Sequence, residues 1–203
     1  MDHIEKELEA GRAVILPTET VYGIFAKALD QEAVDYIYEL KRRPRDKALN
    51  LNVADEKTIR IYSKNQPSYL TKLIHSFLPG PLTIILQANE KVPNWIHSGL
   101  DTVGFRIPAH PKTLDLIRKY GPLVGPSANL SGHASGTKYR AIVSEFDQVV
   151  PGIEDDDFLT GQDSTILDIS SSKARILRQG SITKADLLAQ VPELSFEEDE
   201  LPQ

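Results

Sequence analysis

The chain has 203 residues, 40% of them hydrophobic, which is length enough to bury one α/β core and little more, so a single domain is expected. Cysteine is absent, which excludes disulfides, thiolate metal sites, iron–sulfur clusters and a cysteine nucleophile, and suits a reducing, cytoplasmic setting. Of the net charge of −6, five units come from Glu193, Glu197, Glu198, Asp199 and Glu200, so the body is close to neutral and 193–203 is expected to be a solvated, disordered acidic tail behind a domain spanning 1–192.

Met1-Asp2-His3-Ile4 has neither the basic start nor the apolar run of a secretory leader. No later stretch approaches the roughly 18 apolar residues of a membrane helix. Residues 3–10 have helical composition and end at Gly11; Ala13–Leu16 is an apolar run bounded by Pro17 and reads as a buried strand. Asp30 caps a helix with Val34, Ile37 and Tyr38 on its apolar face, stopped by Pro44, and Leu49–Val53 is a further strand. The i, i+3, i+4, i+7 spacing of Leu70, Leu73, Ile74 and Phe77 predicts a core-facing helix, broken by Pro79-Gly80-Pro81 before a strand over Thr83–Leu86. Val103–Ile107 is read as a strand, Lys112–Tyr120 as a helix ended by Gly121, Leu123–Gly125 as a short buried strand and Lys138–Phe146 as a helix. Thr165–Ile169 and Ala174–Leu177 form a candidate hairpin, and Thr183 with Asp186 a capping box for the last helix. Strands and helices alternating through one chain predict an α/β fold, with helices layered on a largely buried, mixed sheet.

Three segments can carry chemistry. Lys41-Arg42-Arg43-Pro44-Arg45-Asp46-Lys47 places five cations in seven residues at a helix C-terminus, where they either face solvent or clamp phosphates. Pro44 stiffens the run, and the chain is otherwise acid-rich, which favours the clamp. Pro126-Ser127-Ala128-Asn129-Leu130-Ser131-Gly132 follows a short strand and reads either as an ordinary turn or as a ligand loop. Ser127 lacks the G-x-S-x-G elbow of a hydrolase nucleophile. Pro17-Thr18-Glu19-Thr20-Val21-Tyr22-Gly23 offers hydroxyls and a carboxylate after the first strand, for capping or for a small polar ligand. The sequence has no G-x-x-x-x-G-K-[ST], no G-x-G-x-x-G and no H-E-x-x-H.

Taken in order, these segments with Pro79-Gly80-Pro81-Leu82-Thr83, Arg106-x-Pro108, Ser164-Thr165-Ile166 and Leu177-Arg178-x-Gly180 resemble the YrdC family of threonylcarbamoyl-AMP synthases, from about residue 8 to 190. The resemblance is to the short, single-domain bacterial form. It implies a twisted mixed sheet flanked by helices, with a deep basic cavity where L-threonine, bicarbonate (CO2) and ATP with Mg²⁺ react to L-threonylcarbamoyladenylate and pyrophosphate. It also implies a nucleotidyltransferase whose product passes to a tRNA threonylcarbamoyl transferase complex for t6A37 modification, with no membrane role and with direct tRNA binding left open. Carried over by position, Lys41, Arg43, Ser127 and Asn129 are the catalytic set, with no protein metal ligands. Arg43, Lys47, Thr102, Ser127, Ser135 and Arg178 are expected on ATP, and Thr20, Asn52, Arg106, Gly125 and Ser164 on threonine. Ala48 and Asn52 depart from the proline and histidine of some members. The alternatives are an RNA-binding module of the same fold and a carbamoyl-adenylate-forming or ATP-hydrolysing relative. Lys41 and Arg43 are expected to be surface or cavity groups whose replacement by alanine stops turnover and spares the fold.

Overall fold

In the computed structural model, which describes residues 3–197, the apolar runs pair into one mixed sheet and the amphipathic runs become its helices. The chain opens with α1 (His3–Glu9), β1 (Val14–Leu16), β2 (Gly23–Lys27), α2 (Gln31–Leu40) and β3 (Leu51–Asn52). It continues through α3 (Glu56–Tyr62), β4 (Ser63–Lys64), α4 (Leu70–Phe77), β5 (Leu82–Ala88), α5 (Asn94–His97) and β6 (Thr102–Arg106). The last elements are α6 (Pro111–Tyr120), β7 (Leu123–Val124), α7 (Tyr139–Val143), β8 (Thr165–Asp168), β9 (Arg175–Arg178) and α8 (Lys184–Gln190). The strands run β1-β2-β7-β3-β6-β5-β8-β9 across the sheet, with β4 paired to β5; β3 with β6 and β5 with β8 are parallel, and the other pairs are antiparallel.

Period-two alternation divides the strand residues between two unequal faces. Ile24, Ala26, Leu51, Ile84, Phe105, Val124 and Leu167 belong to the large core, which α2 joins through Val34 and Ile37 and α4 through Leu70, Leu73 and Ile74. On the other face Val14, Leu16, Phe25 and Leu123 meet Ile4 and Leu8 of α1 and Leu116 and Ile117 of α6 in a smaller core. Those two helices cover only the β1-β2-β7 side. Among the described residues no helix is long and apolar enough to cross a membrane.

Several local signals act as the sequence predicts. Asp30 accepts from Ala33 N at 3.2 Å, Gly11 and Gly121 take positive φ after α1 and α6, and β8 and β9 form the hairpin. Thr183 and Asp186 complete the capping box of α8. Removing it in Thr183→Ala is expected to cost about 1 kcal/mol, read as a lower urea midpoint with an unchanged slope.

The end of α2 differs from expectation. The helix stops at Leu40, before Pro44 can act, because Arg42 adopts φ 50° and the amides of Arg42 and Arg43 bond back to Glu39 O and Tyr38 O. β2, α3, β4 and α5 are elements the sequence pattern did not reveal. The helix expected over 138–146 keeps only Tyr139–Val143. Past residue 192 the chain remains packed: Leu194 is buried, Phe196 bridges Ala174, and Glu193 and Glu197 approach Lys72 and Arg175 at 3.0 and 3.7 Å. Apolar side chains interspersed among the acids thus correct the expected disorder for 193–197, while residues 198–203 lie outside the described residues.

Candidate functional site

The part of the second face that α1 and α6 leave bare holds a cavity of about 290 Å³. Its floor is one row of residues across neighbouring strands. Asn52 on β3 pairs with Arg106 on β6, Thr83 on β5 with Ile166 on β8, and Ile166 with Arg178 on β9; the β5–β6 register, which pairs Ile84 with Phe105, sets Arg106 and Thr83 one step further along. Arg106 and Arg178 are therefore three strand spacings apart, about 14 Å at the backbone. Gly23 and Gly125 line the same space, and both positions require glycine because a Cβ on either would run into the Phe25 ring. A Cβ on Gly125 would also stand 2.8 Å from Asn52 Nδ2.

Three guanidiniums, those of Arg43, Arg106 and Arg178, line the cavity against one carboxylate, Asp163. Arg106 Nη2 donates to Glu19 Oε1 at 2.6 Å and Thr20 Oγ1 at 2.7 Å, and its Nε is buried without a partner. Glu19 Oε2 is in turn held by Ala109 N at 2.9 Å. Arg178 is aimed by Nε to Ser164 O at 3.0 Å and Nη2 to Ser164 Oγ at 3.1 Å, and Ser164 Oγ also meets Thr83 Oγ1 at 3.0 Å. The left-handed turn at Arg42 turns the chain so that Arg43 lines the cavity, its Nη2 fixed on Ala48 O at 2.8 Å.

The rest of the basic run is spent elsewhere. Arg42 pairs with Asp147 at 2.7 Å and Arg45 with Asp35, while the Lys47 side chain is exposed and its backbone is bonded, the carbonyl accepting from Tyr38 and Arg43 and the amide donating to Pro44 O. Lys41 corrects the sequence expectation most sharply. It is 2% exposed and lines no part of the cavity; its Nζ donates to the carbonyls of Ser127 and Asn129, and its own carbonyl accepts from Ser131 N. Burial above all, with the Arg43 guanidinium adding to it and Glu145 opposing, pushes the Lys41 ammonium down to about 7. A neutral amine still has two N–H donors for those two carbonyls. Asn129, 6% exposed, turns its Nδ2 to the Leu130 and His133 carbonyls. Lys41 and Asn129 thus support the loop that presents Ser127.

Of the residues expected at the site, the fold gathers Arg43, Asn52, Arg106, Gly125, Ser127, Ser164 and Arg178 around the cavity. Thr20 reaches it through Arg106, and Ser135 through Asp163, whose two oxygens its Oγ meets at 3.3 Å. Lys41, Lys47, Thr102 and Asn129 are not among the lining residues; Thr102 shares the face of Arg106 but sits four residues back along β6, about 13 Å away. Asn50, Thr83, Asp163 and the anchoring carboxylate of Glu19 went unassigned. Alternation with Asn52 could have flagged Asn50, but nothing local marks Asp163. Among the described residues no group of three or more His, Asp or Glu is placed to hold a metal ion.

The family model described as telomere recombination (Sua5_yciO_yrdC) matches residues 6–180. Threonylcarbamoyl-AMP synthase of Pyrococcus abyssi is 38% identical over 177 residues, covering 86% of this chain and 52% of that protein. The synthase of Bacillus subtilis is 38% identical over 185 residues, covering 90% of this chain and 54% of its own. The chain spans about half the length of these curated relatives. The crystal structure of P. abyssi Sua5 complexed with L-threonine has a TM-score of 0.87 and 35% identity, covering 95% of this chain and 57% of that one.

Proposed function

The chain belongs to the Sua5/YciO/YrdC family, and from that premise we propose that it is a threonylcarbamoyl-AMP synthase, joining L-threonine, bicarbonate or CO2, and ATP into L-threonylcarbamoyladenylate and pyrophosphate. The observation that carries this reading is the floor row from Asn52 to Arg178, which carries two arginines whose backbones are about 14 Å apart. That span suits two anionic substrates side by side. Arg106 takes the amino-acid carboxylate, with Thr20, Asn52, Gly125 and Ser164 around it. Arg43 and Arg178 take the nucleotide phosphates, with Ser127 and Ser135 nearby.

The reaction forms a carbamate on the threonine nitrogen and then displaces pyrophosphate from the α-phosphorus. Displacement at phosphorus requires alignment and dispersal of negative charge, which fixed guanidiniums supply without reorganising. Mg²⁺ would arrive on the nucleotide and neutralise phosphate charge there, held largely by the nucleotide and water. The product would pass to a tRNA threonylcarbamoyl transferase complex. Arg42 and Arg45, the outward cations of the basic run, are already paired with acids, which weighs against a surface built for RNA.

Pyrophosphate release with and without L-threonine and bicarbonate, with serine as the control, tests the reading. Release is expected to require both, and Arg43→Ala to lower kcat/KM for ATP by roughly 100-fold. Release indifferent to threonine would overturn the proposal.

A further inference from the structure

An amino acid brings an ammonium as well as a carboxylate, and a cavity lined by Arg43, Arg106 and Arg178 repels it. Two carboxylates lie close enough to answer that charge. Glu19 is already committed, one oxygen to Arg106 Nη2 at 2.6 Å and the other to Ala109 N at 2.9 Å, and it does not line the cavity. Asp163 does line it, and its acceptor capacity is largely unused. Ser135 Oγ makes only long 3.3 Å contacts to its two oxygens, and Arg178 Nη1 stands at 3.9 Å, outside hydrogen-bonding range. The backbone that projects it is held, since Ser164, the next residue, is 2% exposed and bonded to Thr83 and Arg178.

We propose that Asp163 receives the amino group of the amino-acid substrate and takes its proton as the carbamate forms. This deepens the synthase reading and rests on it. The bound ammonium gives one proton to solvent; the nitrogen lone pair then attacks the carbon of CO2, and one C=O electron pair moves onto oxygen. As the N–C bond forms, an N–H bond breaks, and its proton goes to an Asp163 oxygen and on to solvent, leaving the N-carboxylate ready to attack ATP. Arg106 anchors the substrate's other end, and Arg178 and Arg43 stay with the phosphates.

The test compares the full chain with its Asp163→Asn and Asp163→Glu variants. Calorimetry reads the binding of L-threonine, of N-acetyl-L-threonine, which has no ammonium, and of a non-hydrolysable ATP analogue; pyrophosphate release reads turnover. The parent chain is expected to prefer L-threonine over its N-acetyl derivative, and Asp163→Asn to lose that preference. In the same variant kcat/KM for threonine should fall by about 100-fold while affinity for the ATP analogue moves by less than about threefold. Asp163→Glu, with its charge restored, should recover threonine preference. Undiminished threonine binding and turnover in Asp163→Asn would overturn the assignment, as would a parallel loss of ATP-analogue affinity, which would give Asp163 to the nucleotide through Arg178. If the parent chain itself binds no L-threonine, the synthase reading falls and this role with it; a failure confined to the variants falls on Asp163 alone.

Discussion

Arg106→Ala is expected to lower the affinity for L-threonine by on the order of 1,000-fold and to destabilise the fold in the same step. The binding loss follows from removing a desolvated guanidinium from the end of the cavity that has no other cation on its floor row, where truncating one member of a buried charge pair costs about 2–5 kcal/mol. The stability loss has a separate origin. Glu19, whose side chain is 14% exposed, would keep its charge without its 2.6 Å partner, and breaking such a pair costs about 3–5 kcal/mol. The two effects part in a second variant. Arg106→Ala with Glu19→Gln removes the stranded charge, so the thermal midpoint should recover while calorimetry still finds no threonine binding. Recovery of binding along with stability would show that Arg106 serves the fold and not the ligand.

Lys41→Met is the second large effect, and it follows from burial. Methionine has a similar stem but no donors, so the carbonyls of Ser127 and Asn129 lose their partner inside the protein, at a cost of about 1–3 kcal/mol each, part of it returned by no longer burying a cation. Turnover should fall by about 100-fold, the effect of displacing Ser127 by about 1 Å, with little change in threonine affinity. The pH dependence has a definite sign. With a folded value of about 7 against 10.5 for the free side chain, the unfolded chain binds more protons between those values, so Lys41 makes stability rise with pH across that window; below about 7 both forms are charged and the gain is absent. Urea unfolding of parent and Lys41→Met at pH 6, 8 and 10 checks this, since the rise should be smaller in the variant by the Lys41 contribution. Equal slopes in the two proteins would place the ammonium near its ordinary value and return Lys41 to the role of a charged clamp.

Much of the architecture was legible because its signals are local. Asp30, Gly121 and the Thr183–Asp186 box each act within one turn of chain, and the spacing of Leu70, Leu73 and Ile74 needs only a helix to have meaning. The ordered motifs likewise identified the family, and the resemblance they carry pointed to Arg43, Asn52, Arg106, Gly125, Ser127, Ser164 and Arg178 among the residues that line the cavity. The two-residue strands β3 and β7 were legible through the apolar runs around them, whereas β4, Ser63-Lys64, has no such run and was invisible.

The function of each cation was decided elsewhere. Five basic residues within seven look equivalent in sequence, yet the left-handed turn at Arg42 and the packing of α2 bury Lys41, pair Arg42 with Asp147 and Arg45 with Asp35, and leave Arg43 facing the cavity. Arg106 meets Glu19 across 87 positions, and Asp163 reaches Arg178 only because β8 and β9 pair. By itself the sequence determined the kind of chain, its punctuated elements and the residue types available for phosphate and amino-acid chemistry. Which of those residues face the cavity, and which are spent holding it, was settled by strand register and burial, because both depend on partners distant in sequence that local periodicity does not encode.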